Sequence, residues 1–130
     1  MPDTQLTKEY TVSQELLASS MGSGSLPVLA TPAVAAFFEN TAMELAAKYL
    51  SEGQTTVGSK ITVEHLAPTA PGCKVTVTAV LEAQENRLFQ FRLEARDNAG
   101  VIATGTHERV SVKSQRFLEK ANARKDSVTQ

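Results

Sequence analysis

The sequence predicts an α+β fold in which an antiparallel sheet wraps around one long central helix. Residues 30–50 are apolar nearly all the way round a helical wheel, which is typical of a helix enclosed by other structure. The segments after this helix alternate apolar and polar residues, and such alternation is typical of half-buried strands. One helix followed by successive antiparallel strands is an α+β arrangement.

The central helix has recognisable ends. Thr31 is predicted as its N-cap, and Pro32 follows at the first helical position, which proline favours. We expect the helix to run to about Leu50, because Gly53 follows where a glycine commonly ends a helix.

Charges are unevenly placed on this helix. Glu44 and Lys48 lie four residues apart on one face, and we expect them to pair in solvent. Glu39 lies nearly opposite them, among small or apolar neighbours. A buried carboxylate is costly unless it is paired, so Glu39 is the first residue to examine for a function.

The strands are predicted from their alternation and from the turns between them. A short first strand at residues 7–12 is expected at a sheet edge. The later strands are predicted at residues 56–66, 74–83, 87–96 and 101–112, and the third of these faces inward with Phe89, Phe91, Leu93 and Ala95.

The strand at residues 56–66 divides its side chains between two faces. Strict alternation places His65 with Val57, Ser59, Ile61 and Val63, and it places Gly58 on the opposite face with Lys60, Thr62 and Glu64. We therefore expect His65 to project toward whatever the apolar face covers.

The chain length of 130 residues fits a single domain, residues 1–130, with its core at about residues 7–112. Residues 113–130 are predicted as a short helix that frays into a tail, with Phe117 and Leu118 as its apolar anchors. Residues 19–25, SSMGSGS, are interpreted as a mobile lid or a linker. Open sheet edges favour pairing with a second copy, so we expect a homodimer.

Composition argues against several classes of protein. The net charge is -1 and the pI is near 6.1, so the basic surface of a nucleic-acid-binding protein is not expected. Cys73 is the single cysteine, and with two histidines it falls short of a zinc-binding spacing, so no metal is expected. We find no signal peptide, and the uncharged residues 16–38 contain glycines and prolines that disfavour a membrane span. A cytoplasmic protein that binds no membrane is expected.

Three polar residues stand where a core would not require them: Thr31, Glu39 and His65. Each has a simple structural interpretation. Thr31 would cap the helix, Glu39 would pair with Arg109 or Arg92, and His65 would end its strand in solvent or be a satisfied core histidine. Together, a hydroxyl, a carboxylate and an imidazole at one helix–sheet seam are the parts of a nucleophile–base–orienter set or of a water-activating pair.

Two further residues, His107 and Cys73, carry side chains that are capable of chemistry. His107 competes with His65 for the role of base and shares a face with Ala103, Gly105 and Arg109, although its charged neighbours are also typical of an exposed strand end. Cys73 has no basic neighbours to favour a thiolate, so a structural role is expected for it.

Three segments, VLATPAVAAFFEN, GSKITVEHLAPTAPGCKVTVTA and GTHERVSV, resemble in order and spacing the hotdog-fold thioesterases of the fluoroacetyl-CoA thioesterase type. The similarity covers about residues 28–112. It implies a hotdog fold, a sheet wrapped around one helix, and thioester hydrolysis. It also implies that Thr31, Glu39 and His65 are catalytic and that Gly58 and Arg109 contact the substrate.

One segment departs from the family pattern. The family member that selects fluoroacetyl groups has phenylalanines in the lid before the Ala-Thr motif, whereas this chain has SSMGSGSLPVL. The resemblance therefore implies the thioesterase class rather than selection for fluorine, with a small or medium acyl-CoA as substrate and no cofactor beyond the CoA that the substrate carries.

The leading hypothesis is an acyl-CoA thioesterase with its site at a dimer interface. Either Thr31 attacks the thioester with His65 as base and Glu39 orienting it, or Glu39 and His65 activate water while Thr31 holds the carbonyl. A non-catalytic acyl-CoA-binding protein is the alternative. An enoyl-CoA hydratase or dehydratase is disfavoured, because the helix offers Glu39 and no histidine.

Overall fold

A computed structural model describes residues 3–126 of the chain. Its strands are β1 (Gln5–Thr11), β2 (Gln54–His65), β3 (Lys74–Glu85), β4 (Leu88–Asp97) and β5 (Gly100–Lys113). Its helices are α1 (Ala18–Met21), α2 (Thr31–Ala47) and α3 (Ser114–Asp126), and a 3-10 turn at Gln14–Leu16 precedes α1. The predicted α+β class is confirmed.

All five strands form one antiparallel sheet in the order β1-β3-β4-β5-β2. The first strand lies at an edge, as predicted, and β2 forms the other edge. Tight turns join β3 to β4 and β4 to β5, so the central strands form hairpins. In the first turn Asn86 adopts a positive φ of 57°, a conformation that asparagine tolerates better than most residues.

The core lies between the sheet and one side of α2. Phe38, Ala42 and Leu45 of the helix are fully buried. The four residues of β4 that were predicted to face inward, Phe89, Phe91, Leu93 and Ala95, are all buried as well. Alternation in β4 was regular enough to identify its core face.

The ends of α2 differ from the prediction. Its N-cap residue is Ala30, and no side chain caps the helix, so the assignment of Thr31 as N-cap is wrong. The helix ends at Ala47 rather than near Leu50. The next backbone N–H groups bond three residues back, as for Leu50 to Ala47, because the last turn tightens to 3-10 geometry.

The predicted pairing of Glu44 with Lys48 is also wrong. Glu44 pairs with Lys8 of β1, and the Lys48 Nζ lies 3.2 Å from the Asp3 Oδ2. Because β1 and the residues before it lie beside α2, they offer each helix residue a partner from another part of the chain.

A β-bulge divides β2 into two halves. The register with β5 shifts between Gly58 and Lys60, so Ser59 is an extra residue. The extra residue reverses the alternation: Thr56 and Gly58 face α2 before the bulge, and Ile61 and His65 face it afterwards. Strict alternation is therefore wrong for the first half of the strand, and Gly58 lies on the inner face.

The C-terminal helix is longer than expected and lies largely on the surface. It spans the 13 residues of α3, and its side chains Phe117 and Leu118 remain 41% and 63% exposed. The prediction that these two residues anchor the segment is therefore wrong. The predicted tail falls on residues 127–130, which lie outside the described residues.

One side of α2 is not covered by any other part of residues 3–126. Pro32, Ala36, Met43 and Ala47 are exposed along it. An apolar helix face of this length is unusual on the surface of a monomer. Within residues 3–126, no helix combines the length and apolar character that a membrane crossing requires.

We predict that Phe38→Ala lowers the free energy of unfolding by about 3–5 kcal/mol, because it leaves a cavity at the fully buried contact between α2 and the sheet. Denaturant unfolding at a fixed protein concentration measures the change. Lys48→Ala, at the exposed C-cap of the same helix, is the control and should cost about 1 kcal/mol or less. Equal losses in the two variants would contradict this account of the core.

Candidate active site

The hydroxyl of Thr31 and the imidazole of His65 are in hydrogen-bond contact, with 2.8 Å between the Thr31 Oγ1 and the His65 Nδ1. Thr31 is the first residue of α2, and His65 is the last residue of β2. The segment before α2 is held in place by backbone bonds from Leu29 to Thr69 and from Ala30 to Leu16. The Thr31 hydroxyl does not cap the helix, and it is therefore available to hydrogen-bond His65.

His65 is arranged to be a neutral base. Burial lowers the pKa of His65 below its ordinary value, and the nearby Ala67 backbone opposes part of this shift. The ring is therefore mainly uncharged at neutral pH. Its Nε2 is buried and has no hydrogen-bond partner within residues 3–126.

A cavity of about 300 Å³ lies beside this pair. Its lining combines Thr31 and His65 with small or apolar side chains, among them Ala18, Val28 and Pro68. Ser23 also lines the cavity, so the segment that was interpreted as a lid or linker forms part of one wall. The cavity has room for a compact apolar group next to the hydroxyl.

A second cluster forms around Gly58. A Cβ atom placed on Gly58 would lie 2.8 Å from the Glu39 Oε2, 3.2 Å from the His107 Cε1 and 3.5 Å from the Arg109 Nη1. Three polar side chains therefore converge on Gly58, which has no side chain and leaves space between them. The bulge in β2 makes this possible, since it turns Gly58 toward the helix.

Arg109 is buried and rigidly held. Its Nε donates to the Thr56 hydroxyl at 2.7 Å, and its Nη2 donates to the Thr56 carbonyl at 2.8 Å. Its Nη1 lies 3.1 Å from the His107 Nε2. Burial lowers the pKa of Arg109, and the negative charge of Glu39 opposes that shift. A buried cation with three directed contacts has a fixed orientation.

His107 lies in the core, so its interpretation as an exposed strand end is wrong; it is 1% exposed. Its Nδ1 donates to the Lys60 carbonyl at 2.8 Å, which leaves Nε2 to accept a hydrogen bond from Arg109. Burial lowers the pKa of His107, and the nearby Arg109 charge lowers it further. His107 therefore supports Arg109 as a neutral acceptor.

Glu39 has neither of its expected arginine partners. Arg92 pairs instead with Glu82 at 3.0 Å on the exposed face, and the donors of Arg109 go to Thr56 and His107. Within residues 3–126 no group hydrogen-bonds to the Glu39 side chain or forms an ion pair with it. The carboxylate therefore faces the space at Gly58 unpaired.

The five predicted site residues form two groups within one chain. Thr31 and His65 form one group, and Glu39, Gly58 and Arg109 form the other. Eight residues of helix separate Thr31 from Glu39, a rise of about 12 Å. Among the residues that the structure describes, the His65 Nε2 has no acceptor and the Glu39 carboxylate has no donor, so each group could supply the partner that the other lacks.

The fluoroacetyl-CoA-specific thioesterase family matches residues 12–115 of the chain. The chain belongs to this family. A fluoroacetyl-CoA thioesterase from Streptantibioticus cattleyicolor is 39% identical over 97 residues, which cover 75% of this chain and 67% of that protein. The family resemblance and the thioester hydrolase class that it implied are thereby confirmed.

Solved structures agree with this assignment. A phenylalanine-to-alanine mutant of the fluoroacetyl-CoA-specific thioesterase, in complex with fluoroacetate and CoA, matches with a TM-score of 0.82 and 30% identity, over 87% of this chain and 95% of that one. A hot-dog-like protein from Thermanaerovibrio acidaminovorans matches with a TM-score of 0.84 and 27% identity, over 93% and 90%. The predicted hotdog fold is confirmed.

The contact of Thr56 with Arg109 was not predicted from the sequence. Alternation placed Thr56 on the outer face of its strand, whereas its hydroxyl and carbonyl both hold Arg109. Gly58, two residues later, was the available signal, since a glycine inside a strand often marks a bulge or a close approach.

We predict that the folded chain loses stability as pH falls from about 8 to about 5, in part through His107. The unfolded histidine takes up a proton near pH 6.5, while the buried ring resists protonation until the pH is lower, so acid favours the unfolded state. His107→Gln keeps a donor and an acceptor but cannot titrate. Denaturant midpoints should therefore depend less on pH in this variant, and identical pH dependence in both proteins would contradict the prediction.

Proposed function

We propose that the chain hydrolyses small acyl-CoA thioesters at sites completed by a second copy of itself. The observation that carries this proposal is the 2.8 Å contact between the Thr31 Oγ1 and the neutral His65 ring. A hydroxyl bonded to an uncharged imidazole is the arrangement of a nucleophile with its general base. The family of the chain supports the same chemistry.

The proposed reaction has two stages. The Thr31 oxygen attacks the thioester carbonyl carbon while His65 accepts the hydroxyl proton. The carbon–sulfur bond then breaks, and the CoA thiolate leaves with that proton. In the second stage His65 takes a proton from water, which attacks the carbonyl carbon of the acyl ester on Thr31. The bond between that carbon and the Thr31 oxygen then breaks, His65 returns the proton to the Thr31 oxygen, and the free acid leaves. Thioester hydrolysis changes no oxidation state, so the proposed reaction needs no redox cofactor.

The start of α2 supplies favourable electrostatics for this chemistry. The helix N-terminus carries partial positive charge and N–H groups that lack helical partners. Negative charge that develops on the carbonyl oxygen beside Thr31 would be stabilised there.

A homodimer would unite the two incomplete groups. β2 is an edge strand, and the exposed face of α2 lies next to it. Antiparallel pairing of two β2 edges about a two-fold axis near mid-strand brings the His65 end of one strand toward the Gly58 end of the other. Glu39 of one copy would then face the unpartnered Nε2 of His65 in the other. Burial of Met43 and Ala36 would accompany this pairing.

The proposed acyl group is small. The cavity beside Thr31 is about 300 Å³ and is walled by Ala18, Val28 and Pro68 rather than by aromatic side chains. A related protein is named as a fluoroacetyl-CoA thioesterase, whose acyl group has two carbons. Without phenylalanines in residues 15–30, we expect acetyl and other short acyl groups to be accepted along with halogenated ones.

We predict that Thr31→Ala and His65→Ala each lower the rate of thiol release from acetyl-CoA by about 10²- to 10⁴-fold, because each removes one partner of the nucleophile–base pair. Thr11→Ala, at an exposed position of β1, is the control and should retain wild-type activity. Wild-type CoA binding without turnover on any short acyl-CoA would instead favour the non-catalytic alternative.

The two mechanisms predict different covalent states. If Thr31 is the nucleophile, acid quenching during turnover should trap an acyl group on the peptide that contains Thr31, which mass spectrometry detects. Direct attack by activated water leaves no such adduct. A turnover-competent protein that never carries an acyl group would overturn the role given to Thr31.

We predict that a mixture of two inactive variants, His65→Ala and Glu39→Gln, regains about one quarter of wild-type activity after subunit exchange, because half of the dimers are mixed and each contains one intact site. Mixing Thr31→Ala with His65→Ala should restore nothing, since those residues serve the same site from one chain. Absence of recovery in the first mixture, with exchange verified, would place the complete site within one protomer.

A further inference from the structure

We propose that the groove between α3 and the ends of β2 and β5 binds the phosphorylated nucleotide of CoA. The groove has a volume of about 720 Å³. Four cations contribute to its lining, Arg87, Lys113, Arg116 and Lys120. This inference rests on the proposed function, because it assigns the part of the substrate that lies farthest from the reacting carbonyl.

The charge in the groove is unbalanced. Glu119 is the single acidic residue among the lining residues, and the Gln115 amide donates to its carboxylate at 3.5 Å. Within residues 3–126, none of the four cationic side chains in the groove forms an ion pair or a hydrogen bond. Four unpaired cations at one groove attract a ligand that carries several negative charges.

Several other cations of the chain are already paired. Lys8, Lys48, Lys74, Arg92 and Arg96 each form an ion pair with a carboxylate. Arg109 is buried and bonded to Thr56 and His107. Four of the cations that form no ion pair within residues 3–126 therefore lie together at the groove, although the net charge of the chain is -1.

The groove also offers a surface for a base. Phe117 is 41% exposed and lines the groove between Arg116 and Lys120, and Val112 lies in the same lining. An exposed aromatic ring flanked by cations can stack on adenine while the cations hold phosphates. This accounts for a phenylalanine that the core does not bury.

The groove lies at a suitable distance from the proposed site. Gln54 and Lys113 line it, and each is four residues along its strand from Gly58 and Arg109, a separation of roughly 13 Å. The pantetheine arm of CoA has about as many chain atoms as four residues of backbone, so it spans this separation when extended. One ligand could therefore reach both places.

Direct binding of CoA tests the proposal without requiring turnover. Isothermal titration should show that Arg116→Gln/Lys120→Gln lowers CoA affinity by about tenfold or more, and that wild-type affinity falls with added salt, because the contacts are exposed charges. Lys74→Gln/Arg96→Gln removes two cations elsewhere and should keep wild-type affinity. Equal losses in both double variants, or no binding of CoA to the wild type, would overturn the proposal.

Phe117 provides a second, uncharged test. Phe117→Ala should weaken CoA binding by roughly fivefold or more through loss of stacking, and Phe117→Tyr should restore it. Both variants should bind pantetheine like the wild type. An unchanged CoA affinity in Phe117→Ala would overturn the proposal that adenine stacks on Phe117 in the groove.

Truncated ligands distinguish CoA from other nucleotides. Dephospho-CoA should bind the wild type more weakly than CoA, since it lacks the 3′-phosphate. Binding of ATP as tight as that of CoA would overturn the assignment to the substrate. In turnover, Arg116→Gln/Lys120→Gln should raise KM for acetyl-CoA, leave kcat unchanged, and leave KM for acetyl-pantetheine unchanged.

The outcomes separate the two proposals. If the wild type hydrolyses no thioester, and the groove variants bind CoA more weakly than the wild type does, the CoA site in the groove is supported and the thioesterase function is overturned. If the wild type and the groove variants hydrolyse acetyl-CoA with the same KM, the thioesterase function is supported and the assignment of CoA binding to the groove is overturned.

Discussion

The burial of one side of α2 against a curved sheet is the constraint from which the other features of this molecule follow. Phe38, Ala42 and Leu45 fill the contact and fix the rotation of the helix about its axis. That rotation places Thr31 against the end of β2 and Glu39 against Gly58. It also leaves Met43 and its neighbours without cover, which is why a second copy is expected to complete both the core and the site.

A buried cation requires compensation, and Arg109 receives it from three directions. Thr56 accepts two of its hydrogen bonds, His107 offers a neutral nitrogen, and Glu39 supplies negative charge across the Gly58 space. Removal of any one partner would leave a charge with poor solvation in the core. The contacts that keep this cation in the fold are thus the same ones that aim its Nη1 at the proposed site.

Much of the fold was predictable from local patterns, and particular residues show why. The inward face of β4 follows from simple alternation, and the start of α2 next to Pro32 follows from backbone preference. The outcome at Thr31 was not predictable from preference alone, because its hydroxyl contacts His65, which is 34 residues away. The partners of Glu44 and Lys48 were missed for the same reason: they come from the beginning of the chain.

The candidate site was predictable in its residues but not in its arrangement. Polar side chains on apolar surfaces identified Thr31, Glu39 and His65, and the family resemblance indicated the same three residues. Their separation into two groups depends on the length of α2 and on the open edge of β2, which no single side chain reveals. The groove beside α3 depends on tertiary placement, since Arg87 is more than 20 residues from Arg116 in sequence.

At the bulge at Ser59, the alternation of inward and outward side chains along β2 shifts by one residue. Odd-numbered positions face the helix after the bulge, and even-numbered positions face it before the bulge. The inward position of Gly58 is therefore set by the number of residues between it and His65, and not by its own chemistry. A one-residue deletion between them would leave every side chain type in place and yet exchange the two faces of half the strand.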